Sequence, residues 1–236
     1  MTAITIDTGD DDTQQLWLAV GDLVDRLPPG WVLIGGLMVQ LHALERGVVN
    51  VRPTRDIDVL GQARPQGALS AIDKALRHDG FTLSDPDLDG YAYRYERDGL
   101  VVDVLAPEGI KPPPNLAGNL VAVDVPGGSQ ALTRAEVVTV TVGPQSFDIN
   151  RPSLLGAVLI KARSLPVHAD PESQREDLLR LLSLIQDPRT TATDLKKSER
   201  GWLRDVEARL DFEAPSLLDA DSQLRAELAY RLLTSA

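Results

Sequence analysis

The stretch on which the fold turns is Leu33-Ile34-Gly35-Gly36-Leu37, followed by Arg52-Pro53-Thr54-Arg55-Asp56-Ile57-Asp58-Val59-Leu60. Trp31 to Ile34 is a short apolar run bounded by turn residues and reads as a buried strand. Gly35 and Gly36 break it, and Leu37 to Arg46 reads as a helix with Leu37, Leu41 and Leu44 on one face. Asp56 to Leu60 then reads as a second strand. Successive side chains on a strand alternate faces, so Asp56 and Asp58 point one way while Ile57 and Val59 point into the opposite layer.

Two carboxylates side by side repel each other unless a cation sits between them. Hard carboxylate oxygens suit magnesium, or manganese, together with substrate phosphates. A third acid, Asp103, interrupts the apolar run Leu100-Val101-Val102-Asp103-Val104-Leu105, where burial without a partner is costly. Pairing of that strand beside Asp56 and Asp58 would bring it to the same metal site. The alternative is a core acid paired with an arginine. Glycines after a buried strand permit close backbone approach, and amides opening the next helix favour phosphate oxygens. Gly35 and Gly36 are thus candidate nucleotide contacts, compatible with a purely structural turn. Arg52, Arg55 and Thr54 read as phosphate contacts or braces for the acidic loop.

Outward from this centre, Leu16, Val20, Leu23 and Leu27 fall at helical spacing behind the acids Asp10 to Asp12, and Pro28-Pro29-Gly30 ends that helix. Gln66 to His78 reads as a helix ended by Gly80. Tyr91 to Glu96 and Leu100 to Leu105 read as a hairpin turned at Arg97-Asp98-Gly99. Residues 107–130, with Pro112, Pro113, Pro114 and Pro126, read as an irregular excursion. Val137 to Val142 and Phe147 to Ile149 supply two more strands. From Pro152 the pattern is helical only: one helix opening on Pro152, one capped by Asp170 before Pro171, and stretches near 198–210 and 221–233. The expectation is an α+β chain dividing into 1–150 and a helical 151–236.

Composition bounds the rest. The chain has 236 residues and no cysteine, which excludes disulfides and thiolate metal sites. No apolar run reaches the ~20 residues of a membrane helix. The opening MTAITIDTGDDD lacks the basic start and apolar stretch of an export signal, so a cytoplasmic location is expected. Residues 1–150 carry 11 basic and 21 acidic side chains, a net of -10, whereas 151–236 carry 13 and 14. That balance counts against an extended nucleic-acid groove and leaves room for a local phosphate patch. The cluster Lys196, Lys197, Arg200 and Arg204 is interleaved with acids and reads as a solvated helix face. His42, His78 and His168 have no ligand spacing, and Trp17, Trp31 and Trp202 read as core or interface residues.

In the helical half, Lys161 and Asp177 lie on the shoulders of their apolar stripes, a position that often lines a cleft. With Lys161-Ala162-Arg163 and Arg175-Glu176-Asp177-Leu178 added to the two glycine and aspartate stretches, the chain resembles the AbiEii/AbiGii group of nucleotidyltransferase toxins, MenT-like members included. That group belongs to the DNA polymerase β-like superfamily, and the matching order spans about residues 31–185. The resemblance implies a nucleotidyltransferase fold, a mixed sheet with flanking helices, followed by a C-terminal helical bundle. It implies transfer of NMP from NTP with release of pyrophosphate, using magnesium held by Asp56 and Asp58. Lys161 would contact the triphosphate and Asp177 would complete the catalytic set. Relatives modify the 3′ acceptor end of tRNA, often beside an antitoxin. Gly36 stands where the superfamily usually has serine, Glu176 where lysine is frequent, and Arg180 where an acid is frequent.

Two rival functions follow from the same residues. An acidic cleft attracts a polycation, so the acceptor could be a small aminoglycoside-like molecule, or alternatively a protein side chain. A catalytically silent member of a toxin–antitoxin pair would keep the fold without needing three intact carboxylates.

Overall fold

The structure, a computed structural model, describes residues 3–7, 11–214 and 216–235. Asp10, part of the acidic run expected before the first helix, lies outside them. The elements run β1 (Ile4–Ile6), α1 (Asp11–Arg26), β2 (Trp31–Leu33), α2 (Gly35–Leu44), β3 (Asp56–Gly61), α3 (Ala68–His78), β4 (Thr82–Leu83), β5 (Tyr91–Ala92), β6 (Arg94–Arg97) and β7 (Leu100–Pro107). Then come β8 (Asn115–Ala117), β9 (Leu120–Ala122), β10 (Asp124–Val125), α4 (Gly128–Thr133), β11 (Ala135–Val142) and β12 (Gln145–Pro152). The remaining elements are helices: α5 (Leu154–Ser164), α6 (Pro171–Ser183), α7 (Pro188–Thr193), α8 (Lys197–Arg204), α9 (Glu207–Leu210) and α10 (Ala220–Thr234). No helix among the described residues is long and apolar enough to cross a membrane.

The central mixed sheet has the order β2-β3-β7-β6-β4, with β10 beside the far end of β7. Strands β3 and β7 are parallel, and β2, β6 and β4 are antiparallel to their neighbours. Alternation along β3 and β7 decides which layer each side chain joins. Ile57, Val59, Val102 and Val104 are fully buried against Trp17, Val20 and Leu23 of α1 and Leu69, Ile72 and Leu76 of α3. Burial on that scale stabilises by about 2 kcal/mol per side chain. The opposite face carries Asp56, Asp58 and Leu60 on one strand, Asp103 and Leu105 on the other. Leu60 belongs to a second apolar cluster with Val158, Leu178 and Leu182 of α5 and α6, and Leu105 packs against it. The helices after residue 152 therefore cover the face that bears the acids. Helix α2 lies between the layers, sending Leu37 and Leu41 into the first cluster and Met38 and Val39 into the second.

The hairpin between β6 and β7 forms as expected. Arg97 pairs with Leu100, leaving Asp98 and Gly99 as a two-residue turn with φ of 50° and 82°. Both values are positive, as the right-handed twist of the flanking strands demands. Tyr95 of β6 is fully buried and its hydroxyl donates to Asp73 Oδ1 at 2.8 Å. Tyr95→Phe should cost about 1 kcal/mol by removing one of the two donors to Asp73 Oδ1, the other being Arg77, lowering Tm by about 2–4 °C in a thermal melt.

Several expectations need correction. Residues 107–130 are not irregular: β8 and β9 form a three-stranded sheet with β5, β10 runs parallel to β7, and α4 follows. The expected strand Tyr91 to Glu96 breaks at Tyr93, because Tyr91 and Ala92 pair with β9. Pro152 does not open α5. It ends β12, and Ser153 caps the helix by accepting from the Gly156 amide at 3.4 Å. Asp170 does cap α6, accepting from the Ser173 amide at 3.2 Å, with Pro171 in the first turn. Strand β1, parallel to β11, and helix α7 were not anticipated. In the basic cluster Lys196, Lys197 and Arg204 are exposed, as a solvated face requires, but Arg200 and Arg204 also donate to backbone carbonyls at the end of α10. His42 lies on a helix but is fully buried, 3.0 Å from the Pro152 carbonyl, and burial and then Arg151 hold it well below the usual imidazole range.

Candidate active site

Parallel pairing of β3 with β7 sets Asp58 directly opposite Asp103, and Asp56 lies two residues back on the same face. One oxygen from each of the three carboxylates lies within 4.8 Å of the others. Among the described residues no other group of three or more histidines and acids converges in this way. The cost of the arrangement is visible in Asp58. Burial first, then repulsion from Asp56 and Asp103, push its pKa from the ordinary 3.8 up to about 7, against the pull of Lys161. Burial also raises Asp103, outweighing an arginine beside it. Three hard oxygens held this close, with their charge incompletely compensated, fit a divalent cation of the magnesium or manganese type.

Gly35 and Gly36 do not precede α2 but form its first turn. Gly35 has φ of +69°, and a Cβ there would lie 1.7 Å from Asp58 Oδ2. A Cβ on Gly36 would lie 2.8 Å from both Cβ and Oγ1 of Thr54. Thr54 in turn donates its hydroxyl to Asp56 Oδ1 at 2.8 Å. Both glycines are thus dictated by the aspartates, one directly and one through Thr54. Ile34 at the N-cap offers no side-chain acceptor, so the amides of the first turn keep their capacity for an anion.

The residues from the helical half meet behind this floor. Lys161 on α5 donates to Asp177 Oδ2 at 2.7 Å and to Gln174 at 3.1 Å. Arg52 reaches the same Asp177 carboxylate through Nε and Nη2, both at 3.3 Å. Burial opposes the Arg52 charge, but attraction to Asp177 leaves its pKa raised overall. Lys161 and Asp177 are both buried, at 4% and 3% exposure. Lys161 and Arg52 line the cleft; Asp177 stands behind them.

The cleft itself is a cavity of about 840 Å³ between the acid-bearing sheet face and α5–α6. That lies within the usual range for small-molecule sites. Gly35, Gly36, Asp56, Asp58 and Asp103 line it on one side, and Lys161, Ser164, His168 and Gln174 on the other. Solved structures include one with a similar fold, the crystal structure of an antigenic nucleotidyltransferase-like protein from Paracoccidioides brasiliensis. It matches with a TM-score of 0.50 at 15% identity, over 85% of this chain and 93% of that one. The fold resembles that of this nucleotidyltransferase-like protein. At that identity the likeness is one of fold, and it concerns the mixed α+β architecture. No protein-family profile matches the chain, and no curated protein does.

One residue of the site escaped the sequence reading. Arg94 of β6 lies opposite Asp103 in the antiparallel register and grips both its oxygens, Nε to Oδ1 at 2.9 Å and Nη2 to Oδ2 at 2.8 Å. The core-acid alternative for Asp103 and its place in the cluster are therefore both realised. The hairpin turn carried the signal, because counting equal steps back from Asp98-Gly99 pairs Arg94 with Asp103.

Proposed function

We propose that the chain is a metal-dependent nucleotidyltransferase that moves a nucleoside monophosphate from an NTP to an acceptor hydroxyl. The acceptor hydroxyl attacks the α-phosphorus, the bond from that phosphorus to the β-phosphate oxygen breaks, and pyrophosphate leaves. The single observation that carries this reading is the convergence of Asp56, Asp58 and Asp103 beside the Gly35-Gly36 turn on the floor of one cavity. Magnesium or manganese held by the three aspartates would neutralise the phosphates and lower the pKa of the acceptor hydroxyl. Gly35 and Gly36 line the same cavity, and the amides opening α2, which has no side-chain cap, would offer donors to phosphate oxygens. Lys161 and Arg52 supply positive charge on the opposite wall. Asp177, with both oxygens engaged by them, enters as the group that positions these two cations. Residues 1–150 form the catalytic domain in this reading, and 151–236 the helical domain that closes the cleft.

Lys161→Gln keeps a hydrogen-bonding side chain beside Asp177 and removes the charge. It should raise KM for NTP about tenfold with a smaller change in kcat, as expected for lost ground-state phosphate binding. Steady-state kinetics over NTP concentration checks this, and an unchanged KM removes Lys161 from the triphosphate.

The resemblance to AbiEii-type toxins directs the acceptor to the 3′ end of tRNA and makes the chain the toxin of a toxin–antitoxin pair, acting in the cytoplasm. The test incubates the protein with each α-labelled NTP, magnesium and total tRNA. Cation-dependent label in RNA supports the assignment, and label that never enters RNA ends it. A second acceptor is favoured by Asp124 and Asp170, two further acids lining the cleft. They suit a small polycation, so an aminoglycoside arm in the same assay separates the two acceptors.

A further inference from the structure

Resting on the metal-site reading above, we infer that Arg94 is a built-in counter-ion of the aspartate cluster, which holds Asp103 in the cation-free protein and gives it up when a divalent cation binds. Among the described residues, Arg94 is the one cation hydrogen-bonded to any of the three carboxylates. Its grip is a planar two-point fork on both Asp103 oxygens. An Asp103 oxygen is also one of those that gather within 4.8 Å of Asp56 and Asp58. A cation bound there would share with the guanidinium an oxygen that already accepts a charged donor, and two positive charges on one carboxylate repel each other.

The two partners are unequally fixed. The Asp103 side chain is 8% exposed on a central strand, whereas the Arg94 side chain is 39% exposed. Arg94 also lines the cavity, with its guanidinium carbon 5.6 Å from the centre of the Tyr93 ring, which lines the same cavity. An arginine can lean on such a face while its charge turns toward solvent or phosphate. Arg94 is thus the partner free to move, and Asp103 the one that stays. In the absence of a cation the fork offsets part of the repulsion among the three clustered carboxylates. In its presence the guanidinium and the ion compete for the same carboxylate.

The consequence is a direction that a brace cannot produce: removing Arg94 tightens cation binding. The test measures Mn²⁺ affinity of the full chain by loss of the free-ion electron paramagnetic resonance signal, without nucleotide. Arg94→Gln should bind Mn²⁺ about tenfold more tightly than the unaltered protein. Arg94→Lys, which keeps the charge with a single-point grip and guards against a folding defect in the glutamine variant, should fall between them. Asp58→Asn reports whether the bound ion sits at the aspartates. Affinity unchanged or weakened in Arg94→Gln, with binding still lost in Asp58→Asn, overturns the role of Arg94 and leaves the metal site standing. No Mn²⁺ bound by any form overturns both.

Discussion

Asp58→Asn is expected to reduce nucleotidyl transfer by at least about a thousandfold while making the cation-free protein more stable. The loss follows from position. Asp58 is the central acid, in register with Asp103 and on the same face as Asp56, so without its charge the remaining pair cannot seat a divalent cation. A thousandfold corresponds to about 4 kcal/mol of transition-state stabilisation. The gain in stability follows from the pKa of about 7. In the unfolded chain the carboxyl loses its proton near the ordinary 3.8, whereas in the fold it keeps the proton until about 7. Between those values the folded state binds more protons, so stability falls as pH rises and the full cost is present above pH 7. Asparagine escapes that cost. Its melting temperature should exceed that of the unaltered protein by roughly 5 °C at pH 8, and the gap should close toward pH 4. Magnesium should raise the melting temperature of the unaltered protein at pH 8 and leave Asp58→Asn unmoved. Calorimetry at the two pH values, with and without magnesium, decides it. A variant no more stable than its parent at pH 8 would contradict a desolvated, incompletely compensated charge at Asp58.

Gly35→Ala should be nearly as damaging to activity and harmful to the fold as well. Two independent costs combine at this position. With φ at +69°, any side chain meets the left-handed penalty of about 1 kcal/mol. The new methyl would also sit 1.7 Å from Asp58 Oδ2 and 2.5 Å from its Cγ, so either the carboxylate or the first turn of α2 must move. Transfer should fall at least a hundredfold, and stability by about 3 kcal/mol. The steric part is separable. In an Asp58→Gly background the obstructing side chain is gone, and the same glycine-to-alanine change should cost only about the backbone penalty. A double-mutant cycle in urea measures that coupling, and additive costs would show that Gly35 is not confined by Asp58.

The core of this site was legible because strand alternation is rigid. Asp56, Ile57, Asp58 and Val59 have no freedom over which layer they enter once β3 is a strand, and Asp103 follows from the same rule on β7. What stayed hidden depended on pairing across distance. Arg94 carries no local mark, yet it was within reach, since the Asp98-Gly99 turn fixes which residues face each other. The short strands β8 and β9 draw their stability from β5 and from each other, so the proline-rich stretch that holds them looks irregular in isolation. Pro152 misleads for a related reason: proline suits a first helical turn, but it also suits a strand end, and Ser153 behind it was the better capping residue. The depth of Lys161 and Asp177 was equally invisible, because a charged residue shows its partner only after α5 and α6 are packed together.

Leu60 follows Asp58 by one pleat on the same face, and it is locked beneath Val158, Leu178 and Leu182. The seating of the carboxylates and the attachment of the C-terminal helices are thus two properties of a single strand. A change in the packing of α5 or α6 over Leu60 is therefore felt at the acids through this shared anchor.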